Sequence, residues 1–296
     1  EATDTARFLL PAATLTNVGV TMNARSMEHA IRKLLSSDLA EEQVLGQALK
    51  VEGQRITPTL IKYADRNDYL VRSREAQEEM AQPYTKPGDQ SGVEATLVHH
   101  DPDAEAKLAA ALLYRYAHQT YGEIWSRVRN MSSQERQGLI DRALEHLDSH
   151  DVPVREMEMV DYTFELLMDY GAYREYKRHR MQTYIPHPLT VEHGYLVPPL
   201  VEDAGLRDDF EAAIRQADTA FHALRGELPR VASYMVTHAH KRRVLARMNL
   251  RECYHLFKLR TGPQTHFSLR EVIATALEAA RQCQPGMFEH LQLRDQ

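Results

Sequence analysis

Three neighbouring side chains near the middle of the chain have the chemistry of an anion-binding site. Arg178-His179-Arg180 sets a titratable imidazole between two guanidinium groups, and three such side chains cannot all be buried cheaply. Together they can bind phosphate, carboxylate or the edge of an electron-rich ring. An isolated triplet of this kind also fits the solvated basic end of a helix, so the surrounding sequence must decide.

The composition is that of an ordinary globular protein. The chain has 296 residues and a net charge of −6, so its charge does not favour nucleic-acid binding. Cys253 and Cys283 have neither metal-site nor disulfide spacing, and the histidines at 99–100 and at 238 and 240 lack further ligands, so no metal site is predicted. No apolar run reaches the roughly 18 residues that span a membrane, and no signal peptide is visible. We predict a cytoplasmic protein.

The pattern before the triplet alternates between strand and helix. A strand is predicted over residues 93–100 and a helix over 104–121, and Ser132 with Glu135 forms a capping box. Apolar and polar residues alternate from 158 to 169, which is the best strand signal in the chain.

The pattern after that strand returns to helix. A short helix from about Ala172 would carry the triplet and place Arg174 and Arg178 on one face. Prolines between 186 and 199 predict a loop or an edge strand, and residues 203–260 are predicted to be helical.

One motif occurs twice. The copies are Met22-Asn23-Ala24-Arg25 with His29, and Met248-Asn249-Leu250-Arg251 with His255. Pro58 and Pro285 follow the two asparagines at nearly equal distances. A helix-capping Asn explains a single copy, whereas two copies at matching offsets favour a duplicated unit.

The duplication and the Pro- and Gly-containing stretch after residue 80 predict three parts. Residues 1–70 would be the C-terminal half of a first repeat, 71–92 a linker, and 93–296 a complete second repeat. The opening residues resemble the middle of a domain, so we expect an N-terminal portion to be missing.

The spacing around the triplet resembles a known family. Glu158 precedes Thr163-Phe164, residues 165–177 separate that Phe from the triplet, and Arg174 lies four residues before it. An Asn-x-Arg-x-x-x-His helix follows far downstream. These features resemble the flavin-dependent thymidylate synthases, whose signature is Arg-His-Arg-x7-Ser.

The resemblance covers residues 1–60 and 93–290. It implies an α+β fold with a mixed or antiparallel sheet flanked by helices and a partial second repeat. Family members reduce FAD with NADPH and move a one-carbon unit from methylenetetrahydrofolate to dUMP, making dTMP. They work as homotetramers with sites between subunits. The resemblance thus implies a homo-oligomer, here a dimer of tandem repeats, that binds nucleotide and folate molecules but neither nucleic acid nor membrane.

The resemblance also assigns residue roles. The residues that would contact FAD are Arg178, His179, Arg180, Asn249 and His255, with Asn23 and His29 if the first copy is functional. Arg251, or Arg25 in the first copy, would hydrogen-bond the uracil ring and favour its ionised form, because a fixed guanidinium stabilises a developing anion. The positions that would bind substrate are Arg174, Glu175, Thr183 and Thr190.

The nucleotide half of the signature departs from the family. Pro188 stands where the family has its serine, and proline has neither a hydroxyl nor an N–H to offer a phosphate. Thr190 could replace that serine only after a two-residue insertion. Glu175 stands where the family has a nucleotide-contacting Gln, and its charge would repel the phosphate.

The sequence therefore leaves three functions open. The chain could be an FAD-dependent thymidylate synthase homologue, or a non-catalytic flavin- or nucleotide-binding protein that has lost the dUMP site. The third is a flavoenzyme for another pyrimidine or a larger substrate, with an altered pocket lined by Thr183, Thr190, His187 and His193.

Overall fold

The structure, a computed structural model, describes residues 2–85 and 92–294. The strands in these residues are β1 (Ala95–His100), β2 (Asp161–Asp169), β3 (Gln182–Pro186) and β4 (Lys241–Asn249). They form one antiparallel sheet in the order β1-β2-β4-β3. The predicted α+β fold with an antiparallel sheet is confirmed.

Helices make up most of the remaining regular structure. They are α1 (Ala2–Ala6), α2 (Ala24–Leu35), α3 (Ala40–Ile56), α4 (Asp68–Ala81), α5 (Ala104–Tyr114), α6 (Tyr121–Arg129), α7 (Ser133–Leu144), α8 (Tyr170–Tyr176), α9 (Pro199–Asp203), α10 (Arg207–Arg225), α11 (Pro229–Ala232), α12 (Leu250–Arg260) and α13 (Phe267–Cys283). Among the described residues, no helix is both long and apolar enough to cross a bilayer.

The chain divides into two compact units. The first contains residues 1–10, 91–213 and 237–296, and the second contains residues 11–90 and 214–236. The predicted linker 71–92 starts within α4, and residues 86–91 of it lie outside the described residues. The boundaries of the predicted repeats stay a prediction.

The core of the first unit lies on one face of the sheet. Along β2, the alternating residues Tyr162, Phe164, Leu166 and Met168 are all buried, as the period-two pattern predicts. Helix α13 packs against β1 and β2 and contributes its own buried stripe to this core.

Strand β4 corrects the prediction that residues 203–260 are helical. Val244, Ala246 and Met248 are buried at every second position, whereas long arginines occupy positions between them. Arg243 and Arg247 form ion pairs with Glu165 and Asp161 on β2, at 2.6 and 2.8 Å. Basic residues without a clear β-propensity hid the alternation, and cross-strand pairing decides the structure.

Two helix predictions also need correction. The helix predicted over 104–121 ends at Tyr114, because Thr120 and Glu123 form a capping box that begins α6. The equivalent box at Ser132 and Glu135 is confirmed. Helix α8 ends at Tyr176, so Arg174 and Arg178 do not share a helix face as predicted.

The start of α8 gives a stability prediction. Asp169 Oδ1 accepts a hydrogen bond from the Ala172 N–H at 2.8 Å, and a Cβ at Gly171 would lie 2.9 Å from that oxygen. Gly171→Ala should therefore displace the cap and lower the free energy of unfolding by about 1 kcal/mol. Gly138→Ala in α7, where a Cβ meets nothing within 4 Å, should raise it by about 0.5–1 kcal/mol. Urea unfolding measures both changes in the free energy of unfolding. Changes of the same sign in the two variants would contradict the role of Asp169 as the cap of α8.

Candidate functional site

A cavity of about 400 Å³ in the first unit gathers most of the predicted flavin residues. Its walls are the loop before β2, the segment after α8, and helix α12 from its first turn to its last. The predicted site residues that line it are Arg178, His179, Arg180, Asn249, Arg251 and His255. Residues about seventy positions apart thus meet at one place, in a volume typical of small-molecule sites.

Helix α12 positions its side of the cavity through an asparagine cap. Asn249 Oδ1 accepts a hydrogen bond from the Glu252 N–H at 2.8 Å, which satisfies one free amide of the first turn. The same cap fixes the Asn249 side chain, so its amide Nδ2 remains able to donate to a ligand. Further along, Arg251, His255 and Lys258 share one face of the helix because they lie four and three residues apart.

The triplet itself is held by its central residue. His179 is 5% exposed, and its Nδ1 lies 3.1 Å from Glu252 Oε1. Its Nε2 lies 2.9 Å from Nε of Arg260, which in turn pairs with Glu175. Because an arginine N–H can only donate, Nε2 must be the acceptor and the proton must lie on Nδ1, where it points at the carboxylate. The four side chains therefore form one hydrogen-bonded chain in the order Glu252, His179, Arg260, Glu175.

The backbone of the triplet is also fixed. Tyr176 Oη donates to Gln182 Oε1 at 2.5 Å, and Gln182 Nε2 donates to the His179 carbonyl at 3.1 Å. Tyr176 is fully buried. The turn that presents the two arginines thus rests on a buried tyrosine and on the first residue of β3.

Arg178 and Arg180 flank this fixed histidine and remain available. Both are exposed, and neither side chain forms an ion pair or a hydrogen bond with another described residue. Because neither guanidinium has a carboxylate partner, an anion in the cavity would gain attraction to both. They are the strongest candidates for ligand contacts in the cavity.

Arg251 is a fixed guanidinium on the opposite wall. Its Nε donates to the Pro153 carbonyl at 2.8 Å, and its Nη1 pairs with Glu158 Oε1 at 2.7 Å. Two partners at set distances leave the remaining terminal nitrogen able to donate in a fixed direction. The arrangement suits the predicted role of a fixed guanidinium beside a ring, and it also accounts for the Glu158 that precedes β2.

Two side chains on α12, His255 and Lys258, have a pKa that their surroundings lower. Partial burial lowers the pKa of His255, and the neighbouring Glu252 only partly offsets it. Its ring centroid lies 5.4 Å from that of His179. Burial likewise lowers the pKa of Lys258, which is 9% exposed and reaches the Asp151 carbonyl at 3.4 Å. His255 is thus held in its neutral form near pH 7, when it can both donate and accept.

The charge of the lining suits an anionic ligand such as FAD. The lining contains five basic side chains, from Arg178, Arg180, Arg251, Lys258 and Arg260, against carboxylates at Asp151, Glu158 and Glu252. The two arginines without partners can bind a pyrophosphate or an electron-rich ring edge. The residues therefore fit the flavin cofactor that the family resemblance implies.

The remaining predicted residues lie elsewhere. Arg174 hydrogen-bonds His238 Nε2 at 3.0 Å, and Glu175 pairs with Arg260 behind the triplet. Thr183 is exposed on the edge strand β3, and the Thr190 hydroxyl accepts from the Glu192 N–H at 3.2 Å. The first-copy residues Asn23, Arg25 and His29 belong to the second unit, at the start of α2. Of the first-unit residues, Arg174, Glu175, Thr183 and Thr190 do not line the cavity.

Sequence reasoning missed the residues that hold the triplet in place. Glu252 and Arg260 contact His179, although they lie far from it in the chain. Glu252 is 6% exposed. A carboxylate at a mostly buried helix position was a signal, because such a group needs a partner. As for metals, the described residues include no group of three or more His, Cys, Asp or Glu side chains placed to hold an ion.

His187 and His193 form a separate pair in the first unit. His187 Nδ1 lies 3.3 Å from His193 Nε2, and burial, followed by nearby positive charge, lowers the pKa of both. The folded state therefore binds fewer protons than the unfolded state between the lowered values and about 6.5. Their contribution to stability should be complete above about pH 6.5 and lost as the pH falls.

Thermal unfolding between pH 8 and pH 5 tests this pair. We expect the midpoint to fall on acidification, and the fall to be smaller in His193→Gln, which lacks one titrating ring. A variant whose midpoint follows the wild-type pH curve throughout would contradict the prediction.

Comparison with known proteins identifies relatives. The family described as thymidylate synthase complementing protein matches residues 1–59 and 96–286. A UPF0159 protein of Chlamydia muridarum is 30% identical over 305 residues, covering 99% of this chain and 57% of that protein. A UPF0159 protein of Thermoplasma acidophilum is 30% identical over 291 residues, covering 97% and 58%.

The chain therefore spans a little over half the length of these relatives. The family match covers both copies of the Asn-x-Arg motif and the Arg-His-Arg triplet. The chain belongs to the thymidylate synthase complementing protein family, which is the family of the flavin-dependent thymidylate synthases.

Proposed function

We propose that the chain binds FAD in the cavity formed by Arg178, His179, Arg180 and helix α12, and acts in flavin-dependent dTMP synthesis. In that reaction NADPH is the reductant, methylenetetrahydrofolate gives the one-carbon unit, and dUMP receives it. The observation that supports the proposal most strongly is the pair of arginines without partners beside a histidine of fixed tautomer. FAD held by these residues would supply the hydride-transfer chemistry of the site.

The side chains of the cavity would have different chemical roles. Arg178 and Arg180 would neutralise the anionic parts of FAD, with the buried His179 as the positioning residue between them. Asn249 Nδ2 and neutral His255 would donate to or accept from the flavin ring edge. Arg251, fixed by Glu158 and Pro153, would hydrogen-bond the uracil ring and stabilise its anion.

A homo-oligomer is part of this proposal. A cavity of about 400 Å³ holds part of an FAD molecule, and in the family the sites lie between subunits. A dimer of tandem repeats would supply further walls. Sedimentation equilibrium tests it: a strict monomer at all concentrations would contradict it. A cytoplasmic location likewise stays a prediction.

Two measurements test the activity. Purified protein titrated with FAD should show saturable binding in the flavin absorbance spectrum. The natural polypeptide, supplied with FAD, NADPH and methylenetetrahydrofolate, should then release tritium from dUMP labelled at C5. Binding without tritium release would rule out dTMP synthesis and retain the flavin site, whereas no binding would rule out both.

A non-catalytic flavin- or nucleotide-binding protein is the second candidate. It is favoured by the dUMP half of the signature, because Pro188 and Thr190 do not line the cavity and the Thr190 hydroxyl already binds a backbone amide. Glu175, where the family has a Gln, is paired with Arg260. The tritium assay separates this candidate from the first.

A further inference from the structure

The two copies of the repeated motif form the same local structure. Asn23 and Asn249 each cap a helix, through Oδ1 contacts of 2.9 and 2.8 Å to the amide three residues later. Helices α2 and α12 follow, and after them α3 and α13, each 17 residues long. The duplication read from the sequence is therefore matched by backbone geometry.

The segments before the two motifs exchange hydrogen bonds reciprocally. In the second unit, the Ala12 N–H donates to the Val236 carbonyl at 2.9 Å; in the first, the His238 N–H donates to the Leu10 carbonyl at 3.0 Å. The number of residues that separates Asn23 from Asn249 also separates Leu10 from Val236 and Ala12 from His238. Each of these two hydrogen bonds therefore becomes the other when every residue is replaced by its equivalent in the other copy.

A second pair of bonds repeats this exchange. The Ala13 N–H donates to the Tyr234 carbonyl at 3.0 Å, and the Ala239 N–H donates to the Phe8 carbonyl at 2.9 Å. The same offset converts one into the other. Two copies of one segment that pair with each other produce such reciprocal contacts, with residue i bonded to j and j to i.

The copies differ in what surrounds the strand that leads to each motif. Strand β4 has neighbours on both edges, β2 and β3, and buries Val244, Ala246 and Met248. Residues 15–22 occupy the same place in the first copy, but among the described residues they belong to no sheet.

The side chains of this segment are those of a strand without its neighbours. Val18 and Val20, the equivalents of Val244 and Ala246, are 79% and 64% exposed, against 0% for both residues in β4. Asn17, Gly19 and Thr21 alternate with them and form the polar face. An apolar period-two segment with unpaired edges is a template for strand addition.

We infer that residues 15–22 are the docking strand of a second synthase-like sheet, and that the flanking sequence of the natural polypeptide supplies its neighbours. Antiparallel strands built like β2 and β3 would pair with both edges and cover Val18 and Val20. The length of the relatives supports this source, because the chain covers only 57% and 58% of them. Docking would complete a sheet in front of the Asn23 helix.

Amide hydrogen exchange measured by mass spectrometry tests the inference without any activity assay. Residues 15–22 should exchange fast in residues 1–296 alone and about 100-fold more slowly in the natural polypeptide with all its flanking sequence. Val18→Asp with Val20→Asp should abolish that protection. The matched control Thr21→Asp, on the opposite face, should retain it.

The same experiment contains the results that would overturn the inference. Equally fast exchange in the natural polypeptide would overturn it, as would equal loss of protection in Thr21→Asp. Protection that appears in residues 1–296 alone as concentration rises would assign the segment to a second copy of this chain instead. In residues 1–296 alone, Val18→Asp with Val20→Asp should leave the midpoint of thermal unfolding unchanged. A loss of protection in the natural polypeptide would then report lost docking and not a loss of folding.

Discussion

FAD affinity is expected to fall by about 100-fold or more when Arg178 and Arg180 are both replaced by alanine. Each guanidinium is exposed at the cavity and has no partner among the described residues, so its interaction energy is available to the ligand. A hydrogen bond to a charged group contributes about 1.5–3 kcal/mol, or roughly 10–100-fold in affinity per arginine. Titration with FAD, followed by flavin fluorescence, measures the loss.

Two further variants make this result specific. Arg142→Ala removes an exposed arginine from α7, which is not part of the cavity, and should bind FAD like the wild type. Arg178→Lys retains the charge but loses the planar fork, so its affinity should lie between wild type and Arg178→Ala. Wild-type affinity in the double alanine variant would show that the triplet does not bind the flavin.

The second large effect is expected at Glu252. Replacement by alanine leaves the His179 Nδ1–H without an acceptor in a site where the histidine is 5% exposed. The free energy of unfolding should fall by about 1–3 kcal/mol, the cost of a buried donor left unsatisfied. FAD affinity should fall too, because Arg178 and Arg180 are the chain neighbours of His179, whose ring is held by the contact to Glu252.

A conservative variant separates positioning from general damage. Glu252→Gln retains an acceptor oxygen and should preserve most of the stability and the Nδ1–H tautomer, which nitrogen-15 NMR of the histidine ring reports directly. Glu227→Ala, at an exposed position outside the cavity, should change neither quantity. If Glu252→Ala retained the wild-type tautomer and affinity, Glu252 would not be the residue that orients His179.

The sequence predicted several residues that the structure places around one cavity, and the reason is physical. The capping Asn249 and the helix period place Arg251 and His255 on the cavity side of α12, and both facts can be read from local spacing. The period-two pattern of β2 similarly fixes the strand that leads toward α8 and the triplet. Local sequence patterns were sufficient where the direction of a side chain depends only on the helix or strand that carries it.

The sequence was insufficient where partners are distant. It did not predict that His179 lies between Glu252 and Arg260, residues more than seventy positions away. It placed Arg178 on the helix with Arg174, although α8 ends two residues before Arg178. Pairing across long separations, and the arginine-rich strand β4, depend on tertiary contacts that no local pattern records.

A crystal structure of the chain grown with FAD would test the central claim most directly. We predict flavin density in the cavity, with anionic groups of FAD within hydrogen-bonding distance of Arg178 and Arg180 and the ring edge beside Asn249 and His255. FAD bound at another surface, or a cavity without flavin at saturating FAD, would contradict it.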